Sequence, residues 1–240
     1  MTKAFARRTW CCAWGATPAL RGRFTTAAAR IAQAEPSFVK FELVYDLNSA
    51  GLVEQWRMHR INFAIVDAAA LDAEASVFAT AKLFDDTVVW AVPAQVPDDD
   101  IRYALSPGAV ADKILPVLRH YVEIDPSVPT RAASDDWYRT HFPHARASFR
   151  APTFAASAEF AAGGLATCHL LVSLLPNLPL TWLANLKLFG IDGMKRTVIL
   201  AMRRHLLTHG AYARIFHRIT EFLPDRIRAR NGAGKPAVAG

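Results

Sequence analysis

The sequence has no glycine-rich phosphate loop, no serine elbow and no pair of carboxylates spaced for acid–base work. It holds only three cysteines. Cys11 and Cys12 are adjacent, where a disulfide would be strained, and Cys168 lies in an apolar run. All three are therefore expected as reduced thiols, which fits a cytoplasmic protein. No apolar stretch reaches the roughly 18 residues needed to span a bilayer. The longest, "LATCHLLVSLLPNLPL", contains a histidine and two prolines and reads as a buried strand and turn. "AFARRTWCCAW" carries paired arginines like an export signal, but its apolar part is short and runs into "GATPAL".

An excess of charge is also missing from the body of the chain. The net charge is +7, and seven basic residues sit at the ends, three in residues 1–9 and four in residues 226–240, with no acid among them. Residues 10–225 are formally neutral. Basic tails alone give weak, salt-sensitive attraction to DNA. Hydrophobic residues make up 52% of the 240, enough for a substantial core in one large domain or two lobes.

What is present is a changing hydrophobic period. In "KFELVYDLNSAGLVEQWRMHRINFAIV", Phe41, Leu43 and Tyr45 alternate with Glu42, Val44 and Asp46 as in a strand. Leu52, Val53 and Trp56 recur at helical spacing, and Phe63–Val66 is an unbroken apolar run, as in a strand buried on both faces. This predicts a βαβ unit with Asn48 and Ser49 where phosphate-binding glycines would stand. Upstream, residues 10–14 read as a strand. Thr17 suits an N-cap and Pro18 a first helical position, for a helix running to Ala34. Two further strands are expected over 78–84 and 87–92.

"PAQVPDDD" reads as a crossing or linker. A second α/β series follows. "IRYALS" is expected as a strand, "SDDWYRTHF" as a helix capped by Ser134, and "ARASFRA" as a strand. "TFAASAEFAAGG" is expected as a helix capped by Thr153 and stopped at Gly163 or Gly164, and "LATCHLLVSLLP" as a buried strand. "TVILAMR" returns to strand pattern. In the closing helix Tyr212, Ile215, Phe216, Ile219, Phe222 and Leu223 share one face, and a flexible tail is expected from 225. The expected class is α/β, with two Rossmann-like lobes and a ligand cleft. Lobe I takes residues 10–92 and 195–224, and lobe II takes 93–194.

Three stretches in this order resemble the effector-binding domain of LysR-type transcriptional regulators, a periplasmic-binding-protein type II fold. They are "GATPALRGRF…ARIAQAEPSFVKFELVYDLNSAGLVEQWRMHRINFAIVD", "AAGGLATCHLLVSLLP" and "TVILAMRRHLLTHGAYARIFHRITEF". The resemblance covers about residues 10–224. It implies a sensor of a small organic effector and not an enzyme, with no cofactor and no membrane partner. It also implies a homodimer or higher oligomer in which the helix after the first strand packs against a partner. The family's winged helix-turn-helix and linker helix have no counterpart in these residues, so DNA contact is expected only through a missing reading domain. A solute-binding protein of a transporter shares the fold and is the alternative; it would require export.

Thr17, Ser49 and Thr153 each stand at a strand-to-helix turn. Capping is the plain reading of each. The resemblance implies more: hydroxyl-bearing helix starts that line the effector cleft, where free N–H groups suit a small carboxylate. Cys168 and His169 are adjacent, so on a strand they point to opposite faces and cannot form a dyad. They are expected as a core thiol and a histidine near the cleft. His141 and His144 suit a surface turn, Asp98–Asp100 a solvated run, and Trp137 and Tyr138 packing. With no reading helix and charge confined to the ends, DNA retention is expected to vanish between about 50 and about 200 mM salt. A gel shift that survives high salt and discriminates one promoter from random DNA would contradict this.

Overall fold

The structure is a computed structural model and describes residues 10–231. The elements, in chain order, are β1 (Trp10–Ala16), α1 (Arg23–Gln33), β2 (Phe38–Tyr45), α2 (Ser49–Arg57), β3 (Phe63–Asp67), β4 (Phe78–Pro93) and α3 (Asp98–Leu105). There follow β5 (His120–Ile124), α4 (Arg131–His141), β6 (Arg146–Ala151), α5 (Phe154–Ala162), β7 (Cys168–Leu171), α6 (Leu180–Ala184), β8 (Leu186–Arg203) and α7 (Gly210–Asn231). The chain forms two compact units, divided at Phe84/Asp85 and at Arg196/Thr197. Both divisions fall inside strands, β4 and β8. The proline-and-acid stretch expected as a linker lies within unit 2, as the turn into α3.

Unit 1 is built on the strand order β2-β1-β3-β8. β1 pairs in parallel with β2 and β3, and β3 pairs antiparallel with β8. Period-2 alternation sorts the core. Val198, Leu200 and Met202 join Trp14, Phe63 and Ile65 under α1 and α7, while Ile199 and Ala201 join Ala64 and Val66 under α2. α1 starts at Arg23, later than expected. Pro18–Leu20 form a 3-10 turn, and Gly22, at φ 72°, breaks the path into the helix. Only glycine adopts that conformation without strain. Tyr212, Ile215, Phe216 and Ile219 of α7 are buried as its periodicity requires, but Phe222 is 55% exposed. α7 runs to Asn231, through the start of the expected flexible tail. The expectations for 1–9 and for the end of the tail lie outside the described residues.

The basic turn after β8 is structural. Arg203 Nη2 donates to the Trp56 carbonyl at the end of α2, and Arg204 donates to the carbonyls of Ser76 and Phe78. These cations tie β8 and the turn after it to the end of α2 and to the start of β4.

In unit 2, β4 pairs antiparallel with β7, and β5 pairs in parallel with β6. "IRYALS" belongs to helix α3. Asp98–Asp100 occupy its first turn, where the helix dipole favours acids, and Ile101 and Ala104, one turn apart, are buried. α4 starts at Arg131, so Ser134 lies inside the helix and caps nothing. α5 matches expectation: Thr153 Oγ1 accepts from Ala156 N at 3.2 Å and Gly164 follows at φ 77°. β7 is shorter than expected, because Val172–Asn177 form a 3-10 turn.

The expected break between two strands near Asp85–Asp86 does not occur; β4 is continuous. Asp86 is buried in it as a paired ion. Its Oδ2 accepts from Arg196 Nε (3.1 Å), Arg196 Nη2 (2.9 Å) and Ser173 Oγ (2.6 Å), and its Oδ1 from Ser173 N (2.9 Å). Arg196→Leu is expected to cost roughly 3–5 kcal/mol, since it strands a buried carboxylate. In urea denaturation the double substitution Asp86→Leu, Arg196→Leu should lose less than the sum of the two single ones.

Candidate ligand-binding site

In unit 1 the carboxyl ends of the parallel strands β1, β2 and β3 lie side by side, with Ala16 paired to Tyr45 and Ser49 bonded to the end of β3. Thr17 follows β1 directly. It is 4% exposed, in extended conformation, and it makes no capping bond to the 3-10 turn it precedes. Its Oγ1 is buried with no hydrogen-bond partner among the described residues. A buried hydroxyl normally finds a partner, so this atom is costly where it stands.

Ser49 is the first residue of α2 and not its cap. Asn48 takes that role, its Oδ1 accepting from Gly51 N at 2.9 Å. The Ser49 hydroxyl instead accepts the Asp67 N–H at 3.0 Å, fastening the β2–α2 turn to the end of β3. Its O–H proton is not donated to any described residue. Asp46 shapes the same turn. Its Oδ1 accepts from Leu47 N at 2.8 Å and its Oδ2 from Gln55 Nε2 at 3.1 Å. A Cβ on Gly51 would lie 1.9 Å from Asp46 Oδ1, so that carboxylate leans on the first turn of α2. It meets part of the positive end of the helix dipole that was expected to be free for an anion.

Unit 2 holds the other three expected residues. Thr153 is the α5 cap. Cys168 is fully buried, and burial pushes its thiol far above the ordinary range. On the β4–β7 ladder it pairs with Ala91, and the neighbouring His169 pairs with Trp90. His169 is 2% exposed, with Nδ1 2.5 Å from Ser134 Oγ. Its ring lies edge-on to Trp137 (4.9 Å) and tilted on Tyr138 (4.7 Å), and Nε2 has no partner among the described residues. Tyr138 stacks on Tyr121 at 3.9 Å and bonds Thr167 Oγ1 at 3.0 Å. His144 bonds the Ala109 carbonyl and is exposed. Among the described residues no group of three His, Cys, Asp or Glu could hold a metal ion. No helix of the described residues is long and apolar enough to cross a membrane.

Sequence reasoning assigned Ser134 to a cap and so missed it as the partner of His169. It placed Asn48 in the loop without seeing it as the cap, and it passed over Asp46 as a turn-former. The spacing of Asn48 and Gly51 carried the true capping signal, because Asn is as good a cap as Ser and stands one residue earlier.

No protein-family model matches the sequence, and no curated protein matches it. Solved structures do match. The effector-binding domain of QuiR in complex with shikimate is similar with a TM-score of 0.66 and 12% identity, over 90% of this chain and 98% of that one. The reduced regulatory domain of OxyR2 from Vibrio vulnificus gives 0.64 and 14%, over 89% and 95%. A Corynebacterium glutamicum OxyR variant with hydrogen peroxide bound gives 0.62 and 17%, over 95% and 68%. At these identities the likeness shows the fold: mixed α/β of the periplasmic-binding-protein type II kind, as in the regulatory domains of LysR-type regulators.

Burial lowers the His169 pKa to about 3, against about 6.5 when unfolded. The unfolded chain therefore takes up a proton below about pH 6.5 that the folded chain refuses, and stability falls as pH falls from there toward 3. Between pH 6.5 and pH 5 this group should cost about 2 kcal/mol. Chemical denaturation at several pH values should show a shallower acid loss for His169→Asn than for the wild type.

Proposed function

We propose that this chain is the effector-sensing domain of a LysR-type transcriptional regulator. It binds a small organic molecule, a carboxylic acid among the candidates, at the strand ends of unit 1, and it works as a cytoplasmic homodimer. Effector binding acts by favouring one disposition of the two units, and hence of the dimer, over another. The observation that carries the reading is the unpartnered hydroxyl of Thr17, buried at the carboxyl end of a parallel strand, where open α/β sheets take their ligands. Ser49 supports it with an O–H that is still free to donate. In unit 2, His169 Nε2 is another buried atom without a partner among the described residues, Thr153 supplies a capped helix start, and Cys168 is buried beside His169 in β7.

The similar structures were determined with different small molecules, shikimate for QuiR and hydrogen peroxide for the Corynebacterium protein. Peroxide chemistry needs a thiolate. Burial pushes Cys12 up to about 12, and Cys168 is fully enclosed with its thiol also raised. Cys11 is the exposed thiol of the three; the enclosure of Cys12 and Cys168 favours reversible binding of an organic molecule over oxidation at these two positions. Asp46 and Asp67 near Ser49 favour an effector that brings hydroxyl donors as well as any carboxylate.

Calorimetry against small aromatic, alicyclic and aliphatic acids, with neutral polyols alongside, provides the test. Thr17→Val should weaken binding by about 1 kcal/mol while raising the melting temperature, because it removes a hydroxyl that has no partner in the free protein. Ser49→Ala should lower both, since the Asp67 N–H loses its acceptor. An effector whose affinity is indifferent to Thr17→Val would place the site elsewhere.

A further inference from the structure

The end of α2 departs from the usual helix stop. His59 N–H donates to the Trp56 carbonyl at 3.0 Å and Arg60 N–H to the Gln55 carbonyl at 2.9 Å, the paired bonds of a Schellman turn. That turn ordinarily carries glycine at the first of these positions and an apolar residue at the second. Here the first is His59, held at φ 57°, and among the described residues no other non-glycine residue has a positive φ. A side chain in that conformation meets a steric cost that glycine avoids. The second is Arg60, and Arg57, Met58, His59 and Arg60 are all exposed. Cations near a helix C-terminus complement its dipole, but Arg57 does so from the last turn of α2 without leaving helical conformation. Fold stability alone would favour glycine at position 59.

This exposed run joins a wider basic surface. Arg203 reaches the same Trp56 carbonyl at 2.8 Å, and Arg204 reaches the Ser76 and Phe78 carbonyls, so the turn after β8 lies beside the end of α2. Carbonyl oxygens are neutral, so these guanidinium charges stay uncompensated. Arg57 meets the carboxylates of Glu54 and Glu74, whereas Arg60, Arg203, Arg204 and His205 have no ion pair among the described residues. Exposed apolar side chains are interleaved with the cations. Met58, between Arg57 and His59, is 56% exposed, and Val77, between the two residues whose carbonyls Arg204 holds, is 42% exposed. Beneath them the buried rings of Trp56 and Phe78 meet at 4.7 Å and hold the two segments together. β3 and β8 run antiparallel, with Phe63 opposite Met202 and Asp67 opposite Val198. The basic surface therefore lies at the amino end of β3, and the candidate ligand site lies at its carboxyl end. A nucleic-acid backbone would use the cations and leave Met58 and Val77 in water. Arginine and methionine together are what protein interfaces enrich.

We propose that this pole of unit 1 is a docking surface for a partner protein, engaged through an acidic segment that carries apolar side chains between its carboxylates. Docking there leaves the ligand site at the other end of β3 uncovered. The test is fluorescence anisotropy of the full chain with a labelled peptide of Asp, Glu, Leu and Phe. A peptide of equal charge with Ser in place of Leu and Phe, and a DNA duplex, are the comparisons, and melting curves confirm that each variant is folded. Arg60→Glu breaks no side-chain bond and should weaken the apolar peptide roughly tenfold. His59→Gly should weaken it about twofold while raising the melting temperature by roughly 2 °C, opposite effects that a purely structural histidine would not give. Met58→Ser should weaken the apolar peptide and leave the Ser peptide unchanged. The basic ends of the chain also attract acids, so binding that is indifferent to Arg60→Glu overturns the surface. Equal binding of the two peptides overturns its apolar part. A duplex that binds where the peptides do not makes it a phosphate surface and overturns the partner. Absence of binding at about 1 mM peptide overturns the proposal as well. None of these outcomes bears on effector binding, which calorimetry reads at the carboxyl end of β3.

Discussion

The bond between Asp86 and Arg196 is the constraint on which the chain's path depends. The chain passes between its two units twice, in β4 and in β8, and these two residues stand beside both crossings. A lone carboxylate at Asp86 could not be buried in an otherwise apolar strand, because desolvation of an unpaired charge is too costly. Arg196 reaches it with two nitrogens of its guanidinium, and Ser173 adds its hydroxyl and backbone N–H. With its charge matched in this way, β4 continues through a position where the sequence invites a turn, and the start of the 3-10 turn after β7 is held to the same point.

A similar economy runs through unit 1, where polar groups close the ends of elements on one another. Ser49 holds the end of β3, Arg203 holds the end of α2, Arg204 holds the turn before β4, and Glu35, just beyond α1, pairs with Arg214 of α7. Asp46, Asn48 and Gly51 settle the start of α2 among themselves. Most polar atoms around the strand ends are thereby consumed. The candidate site is what this consumption leaves over, chiefly the Thr17 hydroxyl and the proton of Ser49.

The parts of the fold that depend on local period were legible. The element types of the β1–β3 stretch, α5 with its Thr153 cap and most of the buried face of α7 follow from residue spacing, although Leu43, Tyr45 and Phe222 of the expected faces are exposed. Two of the misreadings share one physical origin, charges and hydroxyls whose partners are distant in sequence. Asp86 looked like a strand break until Arg196 was brought to it across 110 positions. Ser134 looked like a cap until His169 was brought to it across 35. The acids of α3 were read as a solvated run ahead of a strand, when they start a helix whose two buried residues are too few to show a period. In the candidate site the residue types were visible, and the distinction between a hydroxyl already bonded and one left without a partner was not.

The division of the chain has a consequence for its birth on the ribosome. Residues 85–196 of unit 2 are contiguous, whereas unit 1 is made of residues before and after them. Val198, Leu200, Met202, Tyr212, Ile215, Phe216 and Ile219 all belong to the unit 1 core and are translated after unit 2. Unit 2 can thus collapse while synthesis continues. The first half of unit 1 must wait with β3, buried on both faces in the finished protein, lacking its β8 neighbour. That waiting period exposes a strand that is apolar but for Asp67 to the cell's other nascent proteins, and contacts so distant in sequence form slowly. Low yield on overexpression would then have its cause in the late arrival of β8 and α7, and slower translation or a chaperone acting on β3 would be its remedy.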